Sequence, residues 1–119
     1  MNKEDFDKQF LQTIMQTIKS AVVVHRADAS IALCNAESER LLGVTWSELQ
    51  AKTEDAPEWD FVYLDGSKVP RNEYPVNLVI ADQKPLRDYF AGIVTSGGIV
   101  WVQVNADPIF DDENSLSYV

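Results

Sequence analysis

The chain holds one histidine, His25, and one cysteine, Cys34. A zinc site takes three or four nitrogen and sulfur ligands, so this pair cannot build one. A lone cysteine also excludes an intrachain disulfide. His25 is the only candidate base of its type, and no serine or cysteine nucleophile motif accompanies it. Carboxylates are abundant, at 19 against 10 Lys and Arg, but they cluster in stretches that read as loops. A solvated face explains them better than an acid–base pair. No calcium-loop spacing and no phosphate-cradling GxxxxGK[ST] segment is present. Catalysis is not expected.

The formal net charge is -9. Such a surface repels phosphate backbones and anionic lipid, so neither nucleic acid nor a membrane surface is an expected partner. No stretch approaches the roughly 20 apolar residues of a membrane span. Met1-Asn2-Lys3-Glu4-Asp5 lacks the basic start and apolar run of a signal peptide. The expected location is the cytoplasm. With 119 residues, 45% of them hydrophobic and 24% charged, the chain has the size and composition of one globular domain.

The elements that must position these residues follow from patterning. Phe6, Phe10, Leu11, Ile14, Met15 and Ile18 recur at i, i+3, i+4 spacing and predict a helix over residues 4 to 18. Ala21 to His25 and Ile31 to Cys34 read as a strand pair joined by a turn at Asp28-Ala29-Ser30. Asn35 then caps a helix that runs to Leu42 and stops at Gly43. As a cap alone, Asn35 would be replaceable by Asp. Thr45-Trp46-Ser47-Glu48 has capping-box spacing and predicts a further short helix carrying Leu49. Residues 52 to 60 are acidic, contain Pro57 and read as a loop, followed by an extended run from Phe61 to Leu64 that Asp65-Gly66 ends. Pro75 opens a helix to Asp82. Arg87 to Thr95 and Ile99 to Ala106 form a hairpin around Ser96-Gly97-Gly98, with Val100, Val102, Val104 and Ala106 on one face. Pro108 limits ladder pairing. Leu116 to Val119 begins a last strand, so the chain reads as cut from a longer protein. The order gives an α+β domain with one antiparallel sheet and helices over one face.

Four stretches in this order resemble the PAS family of sensory domains. They are Ile31-Ala32-Leu33-Cys34-Asn35-Ala36 with Leu41-Leu42-Gly43; Ser47-Glu48-Leu49; Asp65-Gly66 followed by Pro70, Glu73 and Pro75; and Trp101-Val102-Gln103-Val104-Asn105-Ala106-Asp107-Pro108-Ile109 before an acidic turn. Together they cover nearly the whole chain. The resemblance implies a five-stranded antiparallel sheet, a helical flank on one face and a cavity between them. Residues 1–19 would then be an N-terminal flanking helix, and residues 20–119 a PAS domain truncated within its last strand. It also implies signalling to a C-terminal output domain of diguanylate cyclase or histidine kinase type.

Family members that bind haem carry their histidine on the long flank helix, where this chain has Val76 to Asp82 and no histidine. Flavin-reactive relatives carry Asn-Cys-Arg on a helix, whereas Cys34 precedes Asn35 at a strand end. Neither haem nor flavin is expected, and no metal. The residues expected to line a cavity for an unknown small molecule are Leu42, Trp59, Tyr63, Leu78, Tyr89 and Val104. For Tyr63 and Tyr89 plain core packing remains an equal reading. The sheet face of Trp101 is undecided. The first helix is too short to be stable alone in water. Its stripe, through Phe10, Ile14 and Ile18, is expected to contact a second copy in a homodimer. The leading expectation is a small-molecule sensor; the alternative is a ligand-free dimerisation or interaction module.

Overall fold

The computed structural model describes residues 3–43, 45, 47 and 60–119. The helix expected from Thr45, the acidic loop over 52–59 and Trp59 itself fall outside these residues, apart from Thr45 and Ser47. The chain begins with α1 (Lys3–Thr17), then β1 (Val23–His25), β2 (Ile31–Cys34) and α2 (Ala36–Leu42). After β3 (Asp60–Val62) come a 3-10 turn (Arg71–Glu73) and α3 (Pro75–Asp82). The remainder is strand: β4 (Leu86–Thr95), β5 (Gly98–Ala106), β6 (Ile109–Phe110) and β7 (Leu116–Tyr118).

All strand pairings are antiparallel. β1 pairs with β2, β3 with β4, β4 with β5, and β6 with β7. β7 reaches β1 through a reciprocal pair of backbone bonds, His25 N–H to Val119 O at 2.8 Å and Val119 N–H to His25 O at 2.9 Å. β5 and β6 are one run interrupted at Asp107-Pro108, where proline has no N–H to give the ladder. The order β2-β1-β7-β5/β6-β4 is therefore the expected five-stranded sheet. The three-residue β3 adds a short sixth strand at the hairpin end of β4, where Val62 lies opposite Gly92.

The β4–β5 hairpin turns on Ser96-Gly97, with Thr95 opposite Gly98. At its other end the ladder slips between Leu86 and Tyr89. Asp88 there has φ 56, a conformation few non-glycine residues adopt. Its amide donates to Asn105 Oδ1 at 3.0 Å, and its carboxylate accepts from Gln103 Nε2. Two neighbouring side chains thus hold the bulge from the partner strand.

The core lies on one face of the sheet. Leu42 of α2, Phe61 of β3, Val69, and Ala91 and Ile93 of β4 form the buried cluster, with Tyr74, Tyr89 and Val102 packed against it. Val79 of α3 is also buried. Phe61 meets Tyr74 edge-on at 4.8 Å and Tyr89 at 6.4 Å between ring centroids. Burial of each such large apolar side chain contributes about 1.5–3 kcal/mol. Helices α2 and α3 therefore cover the face that carries Tyr89, Ala91 and Ile93, as helices expected on one face should. No described helix is long and apolar enough to cross a membrane.

Candidate functional site

Asn35 is fully buried and every polar atom of its side chain is used. Its Oδ1 accepts from Ser38 N–H at 3.0 Å, which caps α2, and from Val22 N–H at 2.9 Å. Its Nδ2 donates to Ser20 O at 2.8 Å. The hydroxyl of Ser38, also fully buried, donates back to Asn35 O at 2.6 Å. One turn earlier, Gln16 Oε1 of α1 accepts from Ala36 N–H at 3.1 Å. The asparagine is thus a cap and also a tie between the start of α2 and the segment that leads from α1 into β1. The tie needs an amide: aspartate could keep the two accepted bonds but could not donate to Ser20. The capping pattern in the sequence points to the first role and carries no sign of the second. Gly43 closes the same helix with φ 72 and donates to Glu39 O at 2.9 Å.

At the other end of β1, the His25 ring Nδ1 lies 2.9 Å from Ala29 O. Burial holds the ring below its ordinary pKa, and this hydrogen bond works in the opposite sense. The backbone of the same residue carries the reciprocal bonds to Val119. The segment that follows α1 and the residue that follows β7 are therefore both hydrogen-bonded to β1 or its immediate neighbours. Burial also raises the Cys34 thiol, against a bond with Ser38 that lowers it. A raised thiol stays protonated and unreactive near neutral pH.

Of the residues expected to line a cavity, Leu42 and Tyr89 sit in or against the core cluster. Val104 lies opposite Tyr89 on the same face of the sheet, and Leu78 is half-buried on α3. Tyr63 is exposed and outside the cluster. Glu73 nevertheless brings Tyr63 and Tyr89 together: its carboxylate accepts from the Tyr63 hydroxyl, and its main-chain carbonyl accepts from the Tyr89 hydroxyl at 2.8 Å. The bond to the carboxylate, helped by desolvation and the nearby negative charge, pushes the Tyr63 phenol up to about 12. Tyr89 is raised as well, first by burial. Glu73 belongs to the segment bounded by Pro70 and Pro75, and nothing in its spacing marks it as the residue on which two tyrosines converge. An open depression along α1, lined by Gln9, Gln12, Thr13, Gln16 and Thr17, shares none of the expected cavity residues.

The opposite face of the sheet is open, and near the β4–β5 turn it is apolar. Strand alternation puts Phe90 and Val94 of β4 and Ile99, Trp101, Gln103 and Asn105 of β5 on it, and all are exposed; Ile109 and Tyr118, paired across β6 and β7, are exposed too. This settles the orientation of Trp101, away from the core. Gly92 lies beneath its ring: a Cβ there would come within 2.7 Å of Ile99 Cγ2, 2.9 Å of Trp101 Cζ3 and 2.9 Å of Val62 Cγ2. The stripe of α1 is exposed too, at Phe10, Leu11, Ile14 and Ile18. Among the described residues no group of His, Cys, Asp and Glu is arranged to hold a metal ion.

No family model and no curated protein matches the sequence. Solved structures do match the fold. The PAS domain of the fruit-fly ELK potassium channel superposes with a TM-score of 0.66 at 14% identity, over 93% of this chain and 89% of that one. The PAS domain of an HTR-like protein from Haloarcula marismortui gives 0.68 at 14% identity, over 98% and 90%. The E. coli DhaR(N)–DhaL complex gives 0.64 at 13% identity over 98% of this chain, which spans 35% of that one. The chain has the PAS fold.

Proposed function

We propose that this PAS-fold chain is a sensory and regulatory module that binds a small ligand on the helical side of its sheet and passes the change out through its two flanks. The observation that carries this reading is the wiring of β1. Asn35 ties the segment leaving α1, and His25 ties Val119, so a shift of this one strand reaches both exits. A ligand moves such an equilibrium only by binding its two states unequally. The ligand seat would lie around Leu42, Leu78, Tyr89 and Val104, with Tyr63 at its rim, where Glu73 presents a carboxylate beside two phenols. Haem and flavin are not expected there, and purified protein should be colourless. The signal would pass to a C-terminal output domain of diguanylate cyclase or histidine kinase type in the cytoplasm, and the module would act as a homodimer through Phe10, Ile14 and Ile18.

A thermal-shift screen of small organic ligands tests the sensing role. A ligand at 100 times its dissociation constant should stabilise the domain by about 2.7 kcal/mol, and Tyr89→Phe or Glu73→Gln should reduce the shift. Absence of any hit would favour the second reading, a ligand-free dimerisation or interaction module. The open apolar sheet face favours that reading. It also fits a structural neighbour that was solved as a DhaR(N)–DhaL complex.

A further inference from the structure

At Glu73 the free hydrogen-bonding capacity is all of one kind. Its carboxylate accepts from the Tyr63 hydroxyl, and its main-chain carbonyl accepts from the Tyr89 hydroxyl at 2.8 Å. A phenol has a single proton to give, so both donors are spent. Both phenols are raised above their ordinary value, Tyr63 first by the bond to this carboxylate and Tyr89 first by burial, so neither ionises near neutral pH. What remains is acceptor only: the second carboxylate oxygen and the lone pairs of the two phenolic oxygens. Among the described residues the ion pairs are Arg40 with Glu37 and Arg87 with Asp107, and no Lys or Arg pairs with Glu73. The turn that carries Glu73 is tied on both sides. It lies between Pro70 and Pro75, and Tyr74 N–H and Asn77 Nδ2 both donate to Arg71 O, at 3.1 and 2.7 Å. Glu73 and Tyr63 face solvent and Tyr89 is half-buried, so the corner can be reached from outside. On its inner side Phe61 meets the rings of Tyr74 and Tyr89.

We infer that this corner takes the ammonium group of a small organic cation, with the apolar part of that molecule against the aromatic side formed by Phe61, Tyr74 and Tyr89. The inference rests on the reading of a ligand seat on the helical side of the sheet, and names the class of ligand. A carboxylate or a phosphate would meet only acceptors and a fixed negative charge. A neutral alcohol could give one proton and would gain nothing from the charge. A primary ammonium brings three donors and a positive charge. Its donors match one carboxylate oxygen and two phenolic oxygens. Charge-assisted bonds of this kind are about twice as strong as neutral ones. Aromatic rings within reach of a cation add to the attraction. The net charge of -9 raises the concentration of cations near the surface. Because Glu73 is open to water, solvent screens part of this gain. The mark of the site is therefore its preference among charge types, not a high affinity.

The test uses three probes of one shape: phenethylammonium, phenethyl alcohol and phenylacetate. Each is titrated into isotope-labelled protein and followed by amide chemical shifts. The ammonium should shift the amides of Tyr63, Glu73 and Tyr89 and bind at least tenfold more tightly than the alcohol. Phenylacetate should leave these amides in place. Glu73→Gln keeps an acceptor for Tyr63 and the same main-chain carbonyl for Tyr89. Circular dichroism and melting should therefore hold, while the advantage of the ammonium over the alcohol disappears. Glu113→Gln removes the same charge from an exposed acidic turn and should leave binding unchanged. Equal losses in the two variants would trace the attraction to net charge and overturn the site. Equal binding of ammonium and alcohol to the intact protein, or a preference for phenylacetate, would overturn the cation class and leave the ligand seat standing. No shift of these amides with the ammonium would overturn the cation site. A thermal-shift screen of neutral and acidic ligands that is also empty would take the ligand seat with it.

Discussion

Two faces of the same two strands behave as different materials. On β4, Ala91 and Ile93 are 0% and 5% exposed, while Phe90 and Val94, one residue away in each case, are 56% and 41% exposed. Composition does not separate them near the hairpin turn, where both faces are apolar. Partners do: Leu42, Phe61, Val69 and Tyr89 fill the space above one face, and no described helix packs on the other. One face therefore stabilises the monomer, and the other is available for something else. A sheet with a single covered face ordinarily alternates apolar and polar residues. Here Ile99, Trp101 and Phe90 stand where polar residues would be expected.

The comparison breaks most readily at the core. Phe61→Ala should cost about 3–5 kcal/mol, the range for large buried aromatics, whereas Phe90→Ala should cost the monomer under about 1 kcal/mol. Paired urea titrations measure both, and similar losses would mean that the outer face is as load-carrying as the inner. The Asn35 junction comes next. Asn35→Ala removes a cap worth about 0.5–2 kcal/mol and leaves the half-buried Val22 N–H and the exposed Ser20 O without their partner. Asn35→Asp should also destabilise, because it loses the donor to Ser20 and buries a carboxylate. Melting of Asn35→Asp at the intact temperature would reduce the residue to a simple cap.

A smaller effect concerns pH. The folded pKa of His25 lies below its ordinary value of 6.5 because the ring is desolvated. Below about 6.5 the unfolded chain therefore binds more protons than the folded one. The His25 contribution is complete above that value and is lost as pH falls through the folded pKa. Stability should decline on mild acidification, and His25→Gln should flatten that part of the profile. A slope that survives the substitution would place its origin elsewhere. The smallest effect is spectroscopic. In an ultraviolet titration one phenol should ionise near 12, and Glu73→Gln should return it toward 10.0, because the bond to the carboxylate is the main cause of the shift.

The backbone plan was readable because its signals are local. The i, i+3, i+4 stripe, the Asn35 cap, the Gly43 stop, Pro75 at a helix start and the Ser96-Gly97 turn each act within a few residues, and the elements they predict lie within about two residues of those observed. Signals that depend on distant neighbours were silent. Trp101 could not be given a face because at the turn end of β5 Ile99 and Trp101 are as apolar as Val100 and Val102, and the polar Gln103 and Asn105 follow only further along the same face. The donor bond from Asn35 to Ser20 joins residues 15 apart. Glu73 is an ordinary surface carboxylate until β3 and β4 deliver Tyr63 and Tyr89 to it. Pairing of β3 with β4 depends on three residues meeting a strand 30 positions further on, which no period reveals.

The reciprocal bonds between His25 and Val119 also give the domain a mechanical character. β1 and β7 run antiparallel, so Val23, where β1 begins, and Val119, next to the end of β7, lie toward the same end of the pair. Tension between those two points would not shear the ladder with all its bonds sharing the load. It would peel the strands apart from that end, one bonded pair at a time, beginning with His25 and Val119. Ladders loaded in this way yield at low force. A pull on the flanks would therefore open β1 from β7 while the more extensive β4–β5 hairpin stays closed, a soft hinge set beside a stiff plate.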